Sequence, residues 1–301
     1  MIDSLPPDTQ RFLRQVRGIQ DRMDNAHRQI SSGLRVTTAS DSPDQVGSLL
    51  LLRADMERNR QIRTNLDRFK TETDTAEGAI ASAVRIVDRA RTLGAQGATF
   101  AVDAATRRAL GDEVGALLGS LVGLSQTTVE GRYIFSGDSD GTAPYTLDWS
   151  ATPPTGVYAG SASTREAMLP NGSRLRLAKT AQELFDSPNA GESLFAGMTQ
   201  LRDALLADDM AAIEAALGAL DSAGDYLNGQ HSFYGIAQTS INAALEDAHK
   251  SELRLKEQVA GIEEADLTAA ILELEQSRFH YEAALQSRAQ LPKQTLFDYL
   301  K

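Results

Sequence analysis

Four histidines and a surplus of carboxylates are the side chains of this 301-residue chain with the means to do chemistry, and it has no cysteine. The histidines, His27, His231, His249 and His280, are scattered and show no metal-ligand spacing. No HExxH, Walker A or GxSxG pattern occurs. Glu263, Glu264 and Asp266, like Asp208 and Asp209, read as charged helix faces, not as an acid/base pair. Asp138 and Asp140 in SGDSDG imitate part of a calcium loop but lack the remaining ligands and the bidentate Glu at the twelfth position, so a β-turn is expected. No nucleophile, base and oxyanion donor can be assembled into one constellation. The expectation is a protein that is not an enzyme, with no cofactor and no metal.

With chemistry set aside, the informative features are the two ends. Phe12, Val16, Ile19, Met23, Ala26 and Ile30 step by four and three, a narrow apolar seam of coiled-coil type. Leu267, Ile271, Leu274, Tyr281 and Leu285 keep the same rhythm near the C-terminus, interrupted by Arg278. Neither helix buries its stripe alone, so each needs the other or a neighbouring molecule. The expected role is a subunit that completes its core by assembling.

Between the ends, the text is mostly helical. The first helix is expected over Asp8 to Ser31 and should stop at Gly33, a residue suited to a left-handed C-terminal cap. A second starts at Pro43 behind Asp41 or Ser42 and runs for roughly 50 residues. Its register holds Leu49, Leu52, Met56, Leu66, Phe69, Ala76, Ile80, Ala83, Val87 and Ala90. A third, near Asp103 to Val129, carries Leu110, Val114, Leu117, Leu121 and Leu124. Beside that stripe Gly111, Gly115, Gly119 and Gly123 recur every four residues, which suggests close approach of another helix backbone. From Gly131 to Asn189 aromatic, Pro, Gly and Thr-rich text predicts a small β-rich insertion. Helix resumes at Ala190. From Ile213 a heptad through positions 217, 220, 224 and onward to 262 is apolar apart from Gly224, His231, Gln238 and Glu252, and a five-residue step to Leu267 resets it.

The fold class expected is therefore mainly α: a long antiparallel helical bundle or coiled-coil rod with a small β-rich insertion, and with the N- and C-terminal helices paired. The domain division that follows is a terminal assembly domain of 1–40 with 262–301, a helical rod of 41–135 with 190–261, and a small outer domain of 136–189. A net charge of −11 argues against nucleic acid or an anionic membrane as partner. No stretch has the 18 apolar residues of a membrane span. Met1 to Gln10 lacks the basic and apolar regions of a secretory signal.

Two motifs at opposite ends carry a family resemblance. Gln29-Ile30-Ser31-Ser32-Gly33-Leu34-Arg35-Val36, followed by Ser40-Asp41-Ser42-Pro43, resembles the N-terminal signature of flagellins and their hook-filament junction relatives. Ile262-Glu263-Glu264-Ala265-Asp266 with Leu267-Thr268-Ala269-Ala270 resembles the C-terminal one. Gly131 to Gly137 (GRYIFSG), Ala143-Pro144-Tyr145 and Leu296-Phe297-Asp298-Tyr299-Leu300 are similar to the junction branch of that family. Met1 to Gln10 and Ser42 depart from its pattern.

The resemblance implies a structural subunit of the bacterial flagellum, an adaptor between hook and filament that is exported by the flagellar type III route without a cleaved signal. Implied partners are copies of itself, the first hook-filament junction protein, flagellin, an export chaperone and the type III export apparatus. It adds Leu296, Phe297, Tyr299 and Leu300 to the assembly surface of Phe12, Val16, Ile19, Met23, Ile30, Leu267, Ile271, Leu274, Tyr281 and Leu285. The competing readings are a short flagellin and, in another class, a cytoplasmic coiled-coil scaffold.

Overall fold

The computed structural model describes residues 7–38, 41–163, 166–169, 172, 174–176, 178–189 and 191–290. Its elements in chain order are α1 (Pro7–Ser32), α2 (Pro43–Gly97), α3 (Ala104–Ser125), β1 (Thr128–Val129), β2 (Arg132–Tyr133), β3 (Glu166–Met168), β4 (Arg174–Arg176), α4 (Ala181–Phe185), α5 (Leu194–Ala207), α6 (Met210–Glu263) and α7 (Leu267–Gln290). The mainly helical expectation holds. The chain divides into two compact units, residues 1–57 with 252–301, and residues 58–251.

In the larger unit α2 and α6 run antiparallel, and polar side chains set their register. The amide of Asn59, itself buried, donates to the carbonyl of Ala248 (2.9 Å). Farther along, Gln238 donates to Asp74 (3.0 Å) and His231 pairs with Glu77 (2.7 Å). The Arg91 guanidinium reaches the carbonyl of Asp221 (2.8 Å) and fills the space above Gly224. Three of the four interruptions in the expected heptad, Gly224, His231 and Gln238, are therefore the places where α6 is keyed to α2. Shifting one helix by a turn would break all of these pairs together.

The seam itself lies beside the one expected. Ile213, Leu220, Gly224, Leu227, Tyr234, Ile241 and Ala248 are buried as anticipated, but Ala216, Ala223, Ala237 and Ala244 alternate with them. Positions 217, 231, 238 and 245 flank the seam and are half-buried. Alanines admit a neighbouring backbone closely, so the small residues face the core and the bulkier ones lie at its edge.

On α3, Asp103 accepts from the Thr106 N–H (2.8 Å) as N-cap. The helix stops at Ser125, short of the expected Val129, because Thr128–Val129 turns into a hairpin with Arg132–Tyr133. Glu130 and Gly131 link the strands with φ of 52° and 76°. Positive φ at both positions matches the twist of a two-residue hairpin.

Strand is sparse in the insertion: among the described residues, β3 and β4 form one antiparallel pair, with Ala167 opposite Leu175. Ala167 is buried in a cluster with Ile62, Leu66, Ala237, Ile241 and Ala244. Tyr145, Leu184 and Phe185 join the main core beside Phe135, Phe195 and Leu118. Helix returns earlier than Ala190. Thr180 and Glu183 form a reciprocal capping box at the start of α4, and Ser193 caps α5.

The glycine row of α3 faces three kinds of neighbour. A Cβ at Gly111 would lie 3.1 Å from the Leu206 side chain and 3.3 Å from the Arg202 carbonyl of α5. At Gly115 it would meet Arg202 and Trp149, and at Gly119 Leu147, while Gly123 opens on empty space. Close backbone approach thus belongs to Gly111, Gly115 seats the Arg202 side chain of α5 with Trp149 beyond it, and Gly119 faces a loop. Gly111→Ala should lower the melting temperature, at a cost of roughly 1–3 kcal/mol for overpacking. Gly123→Ala should raise it, gaining up to roughly 1 kcal/mol in helix propensity. Melts that move the same way in both variants would refute the assignment.

Candidate functional site: the paired terminal helices

Within the smaller unit, the first helix ends as its sequence requires. The Gly33 N–H donates to the Gln29 carbonyl (2.8 Å) and Gly33 adopts a φ of 70°, the left-handed cap that glycine takes without steric cost. The Ser32 hydroxyl donates back to the Arg28 carbonyl (2.7 Å). Beyond the cap, Leu34 pairs with Glu264 as an antiparallel bridge. The Arg35 N–H donates to the Glu263 carbonyl (2.6 Å), and the Ala265 N–H to the Gly33 carbonyl (2.9 Å). The Arg35 guanidinium adds bonds to the Ile262 carbonyl (2.9 Å) and the Gln45 amide oxygen (3.0 Å), and Arg53 pairs with Glu263. Two motifs more than 220 positions apart in sequence close on each other through their backbones.

Asp41, expected as one of two N-caps for α2, turns back instead. Its carboxylate accepts from the Thr38 N–H (2.7 Å), and from the N–H and hydroxyl of Thr37 (both 2.9 Å). These donors, Thr38 first, hold its pKa down to about 2. The helix begins at Pro43, leaving Ser42 as the residue before its first turn. On the other strand of the bridge, Asp266 accepts from the Ala269 N–H (3.0 Å) and starts α7.

From this closure α1 and α7 run antiparallel. Arg22 approaches Glu273 (3.8 Å), and at the far end Arg288 donates to the Thr9 hydroxyl (2.9 Å) with its guanidinium over the Phe12 ring (5.6 Å). The α1 stripe is placed as its spacing predicts. Val16, Ile19 and Ala26 are buried, while Phe12, Met23 and Ile30 are half-buried.

The stripe on α7 differs. Ala270 and Ser277 are its buried residues, with Leu274, Tyr281 and Ala284 half-buried, a four-and-three seam of mainly small side chains. Leu267, Ile271 and Leu285 are 46%, 51% and 44% exposed and lie off that seam. Leu272 and Phe279, absent from the sequence-derived set, are more exposed still at 59% and 70%. The missed signal was Ala270, Ser277 and Ala284 at coiled-coil spacing, hidden because the larger residues drew the register. Leu296, Phe297, Tyr299 and Leu300 lie outside the described residues.

Among the described residues, Val16 and Ile19 are thus the large side chains that the pairing buries. Burial of the two is worth roughly 3–6 kcal/mol, a thin seam for the 26 residues of α1 and the 24 of α7. Helices of that length draw most of their stability from packing and not from propensity.

Among the described residues no group of three or more His, Asp or Glu could hold a metal ion, and no helix is long and apolar enough to cross a membrane. His231, beside the α6 seam, pairs across the helices with Glu77.

Residues 8–140, somewhat under half of the chain, match the family model of the bacterial flagellin N-terminal helical region. No curated protein matches the sequence. The flagellin-type segment sits in a fold similar to several solved structures. A flagellar hook-associated protein from Vibrio parahaemolyticus superposes with a TM-score of 0.65 at 19% identity, over 74% of this chain and 100% of that one. FlgL from Xanthomonas campestris gives a TM-score of 0.60 at 15% identity, over 69% and 98%. Flagellar hook-associated protein 3 from Legionella pneumophila gives 0.55 at 15%, over 76% and 98%.

Proposed function

We propose that this chain is a structural subunit of the bacterial flagellum that joins hook to filament and assembles through its terminal helices. The observation that carries the reading is the backbone closure of Gly33–Val36 on Glu263–Ala265. It pairs α1 with α7 through small residues and leaves the bulky row of α7 outward. A subunit that must bury further surface among its neighbours needs such an arrangement. The flagellin-type segment and the likeness in fold to hook-associated structures support the same role.

The surfaces assigned to contact with neighbouring subunits are Leu267, Ile271 and Leu285 of α7, together with Leu296, Phe297, Tyr299 and Leu300. Phe12, Val16, Ile19, Met23, Ile30, Leu274 and Tyr281 hold the pair together. Copies of the chain, the first junction protein and flagellin are the partners at the junction. A chaperone and the type III apparatus would deliver the chain there. The terminal pair forms the assembly domain, residues 41–135 with 190–261 the rod, and 136–189 the outer part.

Immunogold labelling of intact flagella with antibody to this chain tests the role. A short band where hook meets filament is the expected result. Label along the whole filament would make the chain a flagellin, and label confined to the cytoplasm would support the scaffold reading.

A further inference from the structure

In the larger unit, a cleft of about 510 Å³ opens between the loop after Tyr145 and α5. The loop is closed on itself by its own backbone. The Asp148 N–H donates to the Pro154 carbonyl (2.7 Å), the Ala151 N–H to the Asp148 carbonyl (3.0 Å) and the Gly156 N–H to the Pro153 carbonyl (3.0 Å). The Asp148 carboxylate takes both the N–H (2.9 Å) and the hydroxyl (2.6 Å) of Ser150. A loop fastened in this way presents Trp149, Pro153 and Pro154 to the cleft in fixed positions.

Trp149 carries the Arg202 guanidinium over its ring at 4.1 Å, and the indole stays 44% exposed. Stacking orients it at modest cost. Phe195, buried, closes the floor. The charges around this apolar surface leave one carboxylate in excess. Arg202 pairs with Asp203 (2.7 Å), and the two oxygens of Asp186 accept from the Tyr145 hydroxyl (3.0 Å) and the Ser193 hydroxyl (2.7 Å). An anion finds no unpaired cation there, and the Asp186 carboxylate is held by hydroxyl donors and not by a counter-ion. What remains is a flat indole and proline surface beside the Gln200 amide and a second Asp203 oxygen on the rim.

We infer that this cleft binds a neutral saccharide of one or two rings. A pyranose offers C–H faces that lie against indole and proline, and hydroxyls that donate to amide and carboxylate oxygens. The volume falls within the range of small-molecule sites, about 300–1,000 Å³. A proline-rich peptide could use the aromatic surface but offers few donors to the rim acceptors. The inference stands apart from the assembly role, since every residue in it belongs to the larger unit.

Trp149 is the sole tryptophan of the chain, so intrinsic emission reports on this cleft alone. The full-length protein is titrated with glucose, galactose, N-acetylglucosamine, maltose and cellobiose, and separately with a proline-rich peptide. The expected result is a saturable change in Trp149 emission with at least one sugar. Gln200→Ala should weaken it by roughly threefold to tenfold, the worth of one hydrogen bond, with circular dichroism and melting unchanged. Flat emission across all the sugars overturns the inference. So does a saturable response to the peptide alone, or sugar binding that Gln200→Ala leaves intact.

Discussion

Gly137→Ala should destabilise the larger unit by roughly 2–5 kcal/mol. Gly137 holds a φ of 61°, and a Cβ built on it would stand 2.2 Å from the Ser161 carbonyl oxygen and 2.5 Å from that of Ser163. The left-handed conformation alone costs a non-glycine residue about 1–2 kcal/mol, and forcing backbone apart adds roughly 1–3. Nothing nearby can give way cheaply. The Ser161 N–H is bonded to the Ser136 carbonyl (2.9 Å), and the Tyr158 hydroxyl donates to the carbonyls of Phe135 (3.2 Å) and Ser161 (3.0 Å). Urea unfolding followed by Trp149 emission should show a lower midpoint with an unchanged slope. Gly141→Ala is the control, because no atom lies within 4 Å of its Cβ. Equal midpoints for the two variants would defeat the prediction.

Arg107→Met should cost about 2–4 kcal/mol through a different mechanism. Arg107 is buried, 7% exposed, where α2, α3 and α5 end or begin. Its guanidinium donates to the carbonyls of Gly97 (2.8 Å) and Thr99 (3.1 Å) and pairs with Asp208. Methionine keeps much of the bulk and removes all three bonds. Leaving the acceptor of the buried Gly97 without a donor costs about 1–3 kcal/mol, and the bond lost at the exposed Thr99 adds about 1 kcal/mol. The Asp208 carboxylate is 42% exposed, so water replaces the guanidinium there and that loss is small. In a unit of this size the melting temperature should fall by roughly 5–15 °C. Asp208→Asn should move it far less, because the two carbonyls keep their donor. A larger loss from Asp208→Asn than from Arg107→Met would show that the ion pair, not the carbonyl bonds, secures the junction.

Much of this architecture is written locally and could be read without coordinates. Gly33 ends α1 and Pro43 starts α2 because cap and first-turn chemistry depend on the few residues beside them. The α1 stripe from Phe12 to Ile30 was legible because a single apolar row on an otherwise polar helix leaves one face to bury. The family motifs were legible for the same reason, as contiguous strings. Tertiary structure decided which face of α6 and α7 is shared. Ala216, Ala223, Ala237 and Ala244 on α6, and Ala270 and Ser277 on α7, turn inward. Ile271 and Leu285 stay out, whereas a reading by hydrophobic bulk puts them in. Alanine and serine carry little hydrophobic signal in a sequence, yet such small side chains let two backbones come close, and that advantage exists once a partner helix is in place. The pairing of Leu34 with Glu264, and of Asn59 with the Ala248 carbonyl, likewise belongs to no local segment. It depends on two distant stretches meeting, which the residues of either one alone do not specify.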